Sequence, residues 1–202
     1  SVLNFGDLSV LSFHATKVFN TFEGGAIVCA DPQTKQHIDY LKNFGFVNET
    51  TVVAPGINGK MSEVNAAFGL LQLRHIDKAL IKRKEIDSIY REKLSGVKGI
   101  TCLNNDAPEV TNYSYFAILI ENGYPITRDE LYQDLKAHNI HARRYFYPLI
   151  SEFPMYKNML SADPSNLPIA NDAAKKVMCL PIYPDLTSSD LNRIIKIVRG
   201  DF

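Results

Sequence analysis

No apolar run in the 202-residue sequence approaches the roughly 20 residues needed to span a bilayer as a helix, so a helical membrane span is excluded. The opening residues, SVLNFGDLSV, lack the basic start and small-residue cleavage pattern of a secretory signal. Cysteine is sparse. Cys29, Cys102 and Cys179 form neither a CxxC pair nor an even-numbered framework, and a reducing cytoplasm is the expected compartment. Charge of either sign is also missing in excess: 22 basic and 22 acidic residues leave a net charge of zero. A broad basic surface for nucleic acid is therefore not expected. There is no GxxxxGK[ST] phosphate loop, no GxGxxG dinucleotide fingerprint, no internal repeat and no low-complexity tract.

Hydrophobic residues make up 46% of the chain, enough for one large or two small cores. Strands are predicted at LSVLSFH (Leu8 to His14) and GAIVCA (Gly25 to Ala30), followed by a helix opened by Asp31-Pro32 and ending near Gly45. A Pro/Gly loop, VVAPGINGK, precedes a helical pattern from Met61 to Leu94, in which Val64, Phe68 and Leu71 are followed by Leu73, Ile76 and Leu80. Its charged second half, 74–98, reads as a helix linking two lobes. Beyond it, YSYFAILI (Tyr113 to Ile120) and IHARRYFY (Ile140 to Tyr147) read as strands. Thr127-x-x-Glu130 is a capping box for a helix to about His138, and further helices are predicted near 169–177 and from Thr187. Residues 99–202 thus form a compact α/β lobe.

One lysine stands out. In SFHATKVFNTFEGG, Lys17 follows Ser12 and His14 at a strand end and precedes the Gly24-Gly25 pair. Ends of strands and tight glycine turns are where open α/β sheets bind ligands. Lys17 is accordingly a surface charge, a phosphate ligand or a nucleophile.

The two blocks SFHATK…EGG and GINGKMSEVNAAFGLLQL (Gly56 to Leu73) together resemble the DegT/StrS family of nucleotide-sugar aminotransferases. These are pyridoxal-phosphate (PLP) enzymes of the aspartate-aminotransferase fold (fold type I). The resemblance implies an α/β chain holding part of the large mixed-sheet PLP domain (1–73), the linking helix and the small C-terminal α/β domain. It implies that Lys17 is the Schiff-base lysine, that Ser12 helps hold the cofactor phosphate, and that Asn58 reaches the phosphate of the neighbouring subunit's cofactor in a homodimer. His14 lies near the cofactor in the pattern, or is a hydrogen-bonded structural histidine. Glu63 is a site residue or a first-turn carboxylate favoured by the helix dipole. An amine must be unprotonated to attack a carbonyl, and the freed amine can then carry a proton between carbons.

In the same family the strand ending in Tyr-Pro-Leu lies near the sugar nucleotide. Arg143, Arg144 and Tyr147 are therefore candidate substrate-binding residues, with arginine suited to a diphosphate. Strand alternation sends the two arginines to opposite faces, so one at most points inward; as an alternative, both are surface charges. Many relatives carry histidine after Tyr-Pro-Leu, where this chain has Ile150. His138 and His141 are spaced three apart with no cysteine or carboxylate partner nearby, so no metal site is expected. Tyr183 is expected to pack in the small lobe.

The implied reaction moves an amino group from glutamate to a nucleoside-diphosphate 4-keto-6-deoxy sugar, closest to the dTDP-4-keto-6-deoxyglucose transaminases. A non-catalytic binding or assembly protein is the alternative. Family members place a substantial region before the lysine motif, supplying the acid that pairs with the pyridine nitrogen and the aromatic group that stacks on its ring. Neither is found here in a matching context, so an incomplete enzyme is expected.

Overall fold

The computed structural model describes residues 1–103 and 111–201. The chain divides into two units, Ser1–Asp77 and Lys78–Phe202.

The first unit is built on an antiparallel pair, β1 (Leu8–Ser12) and β2 (Gly25–Cys29), in register from Leu8↔Cys29 to Ser12↔Gly25. Helix α1 (Pro32–Leu41) starts where the sequence marks it. The Asp31 carboxylate accepts from the Thr34 amide at 2.8 Å, and Pro32 occupies a first-turn position where no amide is needed. Helix α2 (Glu63–Leu73) is capped by Ser62, whose hydroxyl accepts from the Asn65 amide at 3.2 Å. Much of the unit's apolar surface is open: Val10, Ile57, Val64 and Leu70 are all well exposed.

The predicted continuous helix from Met61 to Leu94 is two helices. α2 ends at Leu73 and α3 (Ile76–Leu94) restarts after Arg74 and His75, whose amides donate to Leu71 and Gln72 carbonyls in tight i→i−3 bonds. The apolar spacing runs on through the break. Periodicity reports which face is apolar, not whether the axis is straight.

The second unit holds most of the buried core. Its sheet is antiparallel in the order β3–β4–β5, made of β3 (Ile100–Cys102), β4 (Phe116–Ile120) and β5 (Val177–Leu180). Phe116, Ile118 and Ile120 alternate into the core, as period-2 geometry requires. Facing them are Leu131 and Leu135 of α4 (Arg128–Ala137) and Leu191, Ile194, Ile195 and Val198 of α6 (Ser188–Arg199). α5 (Pro168–Lys176) leads directly into β5. The expected capping box is present: the Thr127 hydroxyl accepts from the Glu130 amide, and the Glu130 carboxylate accepts from the Thr127 amide at 2.7 Å. Burial pushes the Tyr90 phenol up; its hydroxyl donates to the Pro181 carbonyl at 2.9 Å.

The segment 140–147, expected as a strand, makes a single bridge. Arg143 and Cys179 exchange N–H···O bonds of 3.0 and 2.7 Å, and the chain then turns at Tyr145 and Phe146. The aromatic run Tyr145 to Tyr147 suits a strand, but the chain has already turned away from β5 there, so only Arg143 pairs. Tyr183, expected to pack, is half exposed.

Candidate functional site

In the first unit the segment between β1 and β2 carries Lys17. It leaves β1 at Ser12, bends, and returns to β2 at Gly25, with the Phe13 amide donating to the Gly24 carbonyl and the Thr21 amide to the Phe13 carbonyl, both at 2.9 Å. Lys17 lies on the bend with an exposed side chain. Its amide donates to His14 and its carbonyl accepts from the Asn20 side chain, while its ammonium makes no ion pair among the described residues. The backbone is therefore held and the amine is uncommitted.

Ser12 is exposed at the end of β1 and its hydroxyl accepts from the His14 amide at 3.4 Å. His14 is held through one ring nitrogen. Nδ1 contacts the Thr16 hydroxyl at 2.9 Å, and Nε2 lies 3.6 Å from the Glu23 carboxylate.

A residue the sequence reading passed over ties this segment down. Asn65, in the first turn of α2, donates both amide hydrogens from Nδ2, to the carbonyls of Thr21 and Glu23, each at 2.7 Å. Its Oδ1 accepts from the Ser62 hydroxyl, so every polar atom of the side chain is used. Thr21, 2% exposed, is packed beside Gly69 of α2, where an added Cβ would stand 2.8 Å from the Thr21 methyl. The available signal was an asparagine among the apolar residues of SEVNAAFG.

Asn58 lies on the loop before α2, paired in a bridge with Asn43. Gly56 serves that loop by close approach: a Cβ there would sit 2.4 Å from the Gly45 nitrogen and 2.5 Å from the Leu41 carbonyl oxygen. Asn58, Lys60, Gly24, Gly25 and Asn65 line one open cavity of about 820 Å³. Ser12, His14 and Lys17 do not line it, so the cavity joins the glycine pair to Asn58 and leaves the lysine outside. Glu63 is the exposed first residue of α2, placed to interact with the helix dipole.

In the second unit the two arginines differ. Arg143 is exposed and makes no ion pair among the described residues. Arg144 is half-buried; its Nη1 lies 3.1 Å from Asp129, and its guanidinium stands over the rings of Tyr132 at 4.6 Å and Tyr147 at 5.2 Å. Tyr147 and Ile150, with Phe146, Leu149 and Phe153, line a largely apolar cavity of about 500 Å³. Burial pushes the neighbouring Tyr145 phenol up, and the Tyr115 phenol beside it adds to the shift. His138, expected to have no carboxylate nearby, does have one: its Nδ1 lies 2.9 Å from the Asp134 carbonyl and 3.3 Å from the Asp134 carboxylate, which sits one helical turn earlier. No group of three or more potential metal ligands is found among the described residues, and no described helix is long and apolar enough to cross a membrane.

A family model described as the DegT/DnrJ/EryC1/StrS aminotransferase family matches residues 1–199. A dTDP-4-amino-4,6-dideoxy-D-glucose transaminase of Shigella dysenteriae is 52% identical over 199 residues, covering 98% of this chain and 54% of that protein. One of the same name from Escherichia coli is 56% identical over 179 residues, covering 89% and 48%. The solved structure of DesI in the presence of its TDP-sugar product superposes with a TM-score of 0.82 at 32% identity, over 96% of this chain and 49% of that one. The chain spans about half the length of the curated relatives it matches.

Proposed function

The chain belongs to the DegT/DnrJ/EryC1/StrS aminotransferase family, and we propose that it is the lysine-bearing part of a transaminase that moves an amino group from glutamate to a dTDP-linked 4-keto-6-deoxy sugar. The family is PLP-dependent and the fold is that of its aminotransferases. The named product of the two transaminases, an amino sugar carried on dTDP, supports the choice of sugar nucleotide. We place the reaction in the cytoplasm and the working unit in a homodimer.

The residues present fit the cofactor's aldehyde and phosphate ends. Lys17 offers an exposed primary amine free of ion pairs, and Ser12 a hydroxyl at the adjoining strand end. Asn58, on its separate loop, would serve the phosphate of a second subunit's cofactor, and His14 would stand beside the ring. PLP, when bound, supplies the electron sink that lets an amino group change carbons. Lys17 Nζ would hold it covalently and, once released, carry a proton between the two carbons. Arg143, the exposed and uncommitted arginine, would bind the diphosphate by its planar donor fork. Arg144 and Tyr147 would shape the site beside it.

The observation that carries this reading is the amine of Lys17, uncommitted on a backbone that is hydrogen-bonded in place. Borohydride treatment of the PLP-loaded protein should fix the label on the peptide containing Lys17, and Lys17→Ala should abolish both half-reactions. Label on a different lysine would refute the assignment. Incubation with glutamate and a panel of keto-sugar nucleotides, with the product identified by mass and NMR, tests the substrate. Once free PLP has been removed, a binding module without chemistry would be colourless, whereas a protein that holds the cofactor on Lys17 would keep its visible absorption.

A further inference from the structure

Tyr147 forms part of the wall of the apolar cavity in the second unit, and two guanidinium groups hold its ring. Arg128 Cζ lies 4.9 Å from the ring centroid and Arg144 Cζ 5.2 Å. The two arginines are anchored very differently. Arg128 is 3% exposed, and its Nη1 donates to the carbonyls of Ala174 and Val177, both at 3.0 Å, where α5 passes into β5. Arg144 has no such backbone anchor among the described residues. It rests on the Tyr132 ring and on one carboxylate.

That carboxylate is Asp129, and a single oxygen serves both arginines. Oδ1 accepts from Arg128 Nε at 2.9 Å and from Arg144 Nη1 at 3.1 Å. Two cations drawn to one ring repel each other, and a shared anion between them removes that penalty. The Asp129 side chain is itself mostly exposed, in the first turn of α4, and is not part of the packed core.

We infer that Asp129 is a positioning residue for the sugar-nucleotide site, acting through Arg144 on Tyr147. The inference rests on the reading of Tyr147 as substrate-facing. Without the carboxylate, Arg128 stays pinned by its two carbonyls, while Arg144 is repelled and leaves. The Tyr147 ring then loses one of its two supports, and the cavity wall loosens without unfolding.

The test is kinetic and uses the natural-length holoenzyme. Asp129→Asn should raise the KM for the keto-sugar nucleotide about tenfold, within the range that misplaced binding groups cost, while the KM for glutamate stays as it was. Asp129→Glu, which keeps the anion, should recover most of the loss. In a Tyr147→Ala background Asp129→Asn should add less than a twofold change, because the residue it acts through is gone. Asp172→Asn removes an exposed carboxylate that pairs with Lys176, which keeps Glu121, and serves as a control for loss of a surface charge, with wild-type kinetics. Equal losses for both substrates in Asp129→Asn, or full additivity with Tyr147→Ala, would overturn the inference. If Tyr147→Ala itself leaves the sugar-nucleotide KM unchanged, the assignment of Tyr147 falls and takes the inference with it. If the wild-type protein converts no keto-sugar, the proposed reaction is what has failed.

Discussion

Asn65 gives the sharpest perturbation of the lysine-bearing segment. The segment 13–24 joins two short strands and is hydrogen-bonded from α2 by one side chain, whose Nδ2 donates to Thr21 and Glu23 carbonyls at 2.7 Å each, while Phe22 stacks on Phe68 with ring centroids 4.1 Å apart. Asn65→Ala removes both bonds. Each carbonyl keeps one local partner, since the Glu23 amide donates to Thr21 and the Thr21 hydroxyl to Glu23, so neither is orphaned. The cost is then the net worth of two hydrogen bonds, about 2 kcal/mol in all. Asn65→Asp is nearly isosteric and tests the direction of the bonds. It turns an oxygen toward two carbonyl oxygens, losing both bonds and adding repulsion, for about 3 kcal/mol or more. Against this stands a first-turn carboxylate's gain of about 0.5 kcal/mol from the helix dipole, too small to reverse the order.

Amide exchange, which reads local opening, is the assay. The Phe13, Thr21 and Glu23 amides are all bonded within it. Their protection should fall roughly 30-fold in Asn65→Ala, since about 1.4 kcal/mol is a factor of ten, and further in Asn65→Asp. Amides of β4 should exchange as before. The share of cofactor trapped by borohydride on Lys17 should fall in the same order. Exchange within twofold of wild type in both variants, or Asp milder than Ala, would refute the view that this amide holds the lysine in place.

Gly69→Ala should destabilise the first unit by about 1 kcal/mol in thermal unfolding, because overpacking against the stiff, buried Thr21 outweighs the gain in helix propensity. The Thr127 amide, and then its hydroxyl, hold the Glu130 carboxyl below its ordinary value of 4.5. A depressed acid stabilises fully above that value and loses its effect as the pH falls through its folded value. The gap in thermal midpoint between wild type and Glu130→Ala should therefore be widest near neutrality and close below pH 4.5. Burial pushes the Cys179 thiol up to about 11. At pH 8, about 3 units lower, roughly one thiol in a thousand is ionised, so Cys179 should label with alkylating reagents far more slowly than the half-exposed Cys29. Lys17→Ala and Asn58→Ala subunits, each inactive alone, should regain activity as mixed dimers if Asn58 serves the partner's site; no recovery would refute the shared site.

Features signalled within one helical turn were legible in the sequence. The Thr127/Glu130 box, the Asp31-Pro32 start and the Thr187 start each place donor and acceptor within three residues, and each formed. The strand at FAILI was likewise legible, but a run apolar at every position did not say which side chains of β4 are buried. The lysine's address between a strand and a glycine pair could be read in the same way. What holds that address could not, because Asn65 lies 44 and 42 residues from its two carbonyl partners. The strand reading of 140–147 failed for a related reason. A ladder needs a partner along its length, and only Arg143 found one, on Cys179. Asp129 is the extreme case. An aspartate followed by a glutamate in the first turn of a helix looks the same whether it faces water or joins two arginines, one adjacent and one 15 residues on. Local pattern fixes the energy of caps, so it predicts them. The side chains that aim a site draw their energy from pairing across the fold, and the same residue types serve solvent just as well. The place of Lys17 between a strand and a glycine pair can thus be read from its neighbours in sequence, while the pairings of Asn65 and Asp129 emerge only from distances across the fold.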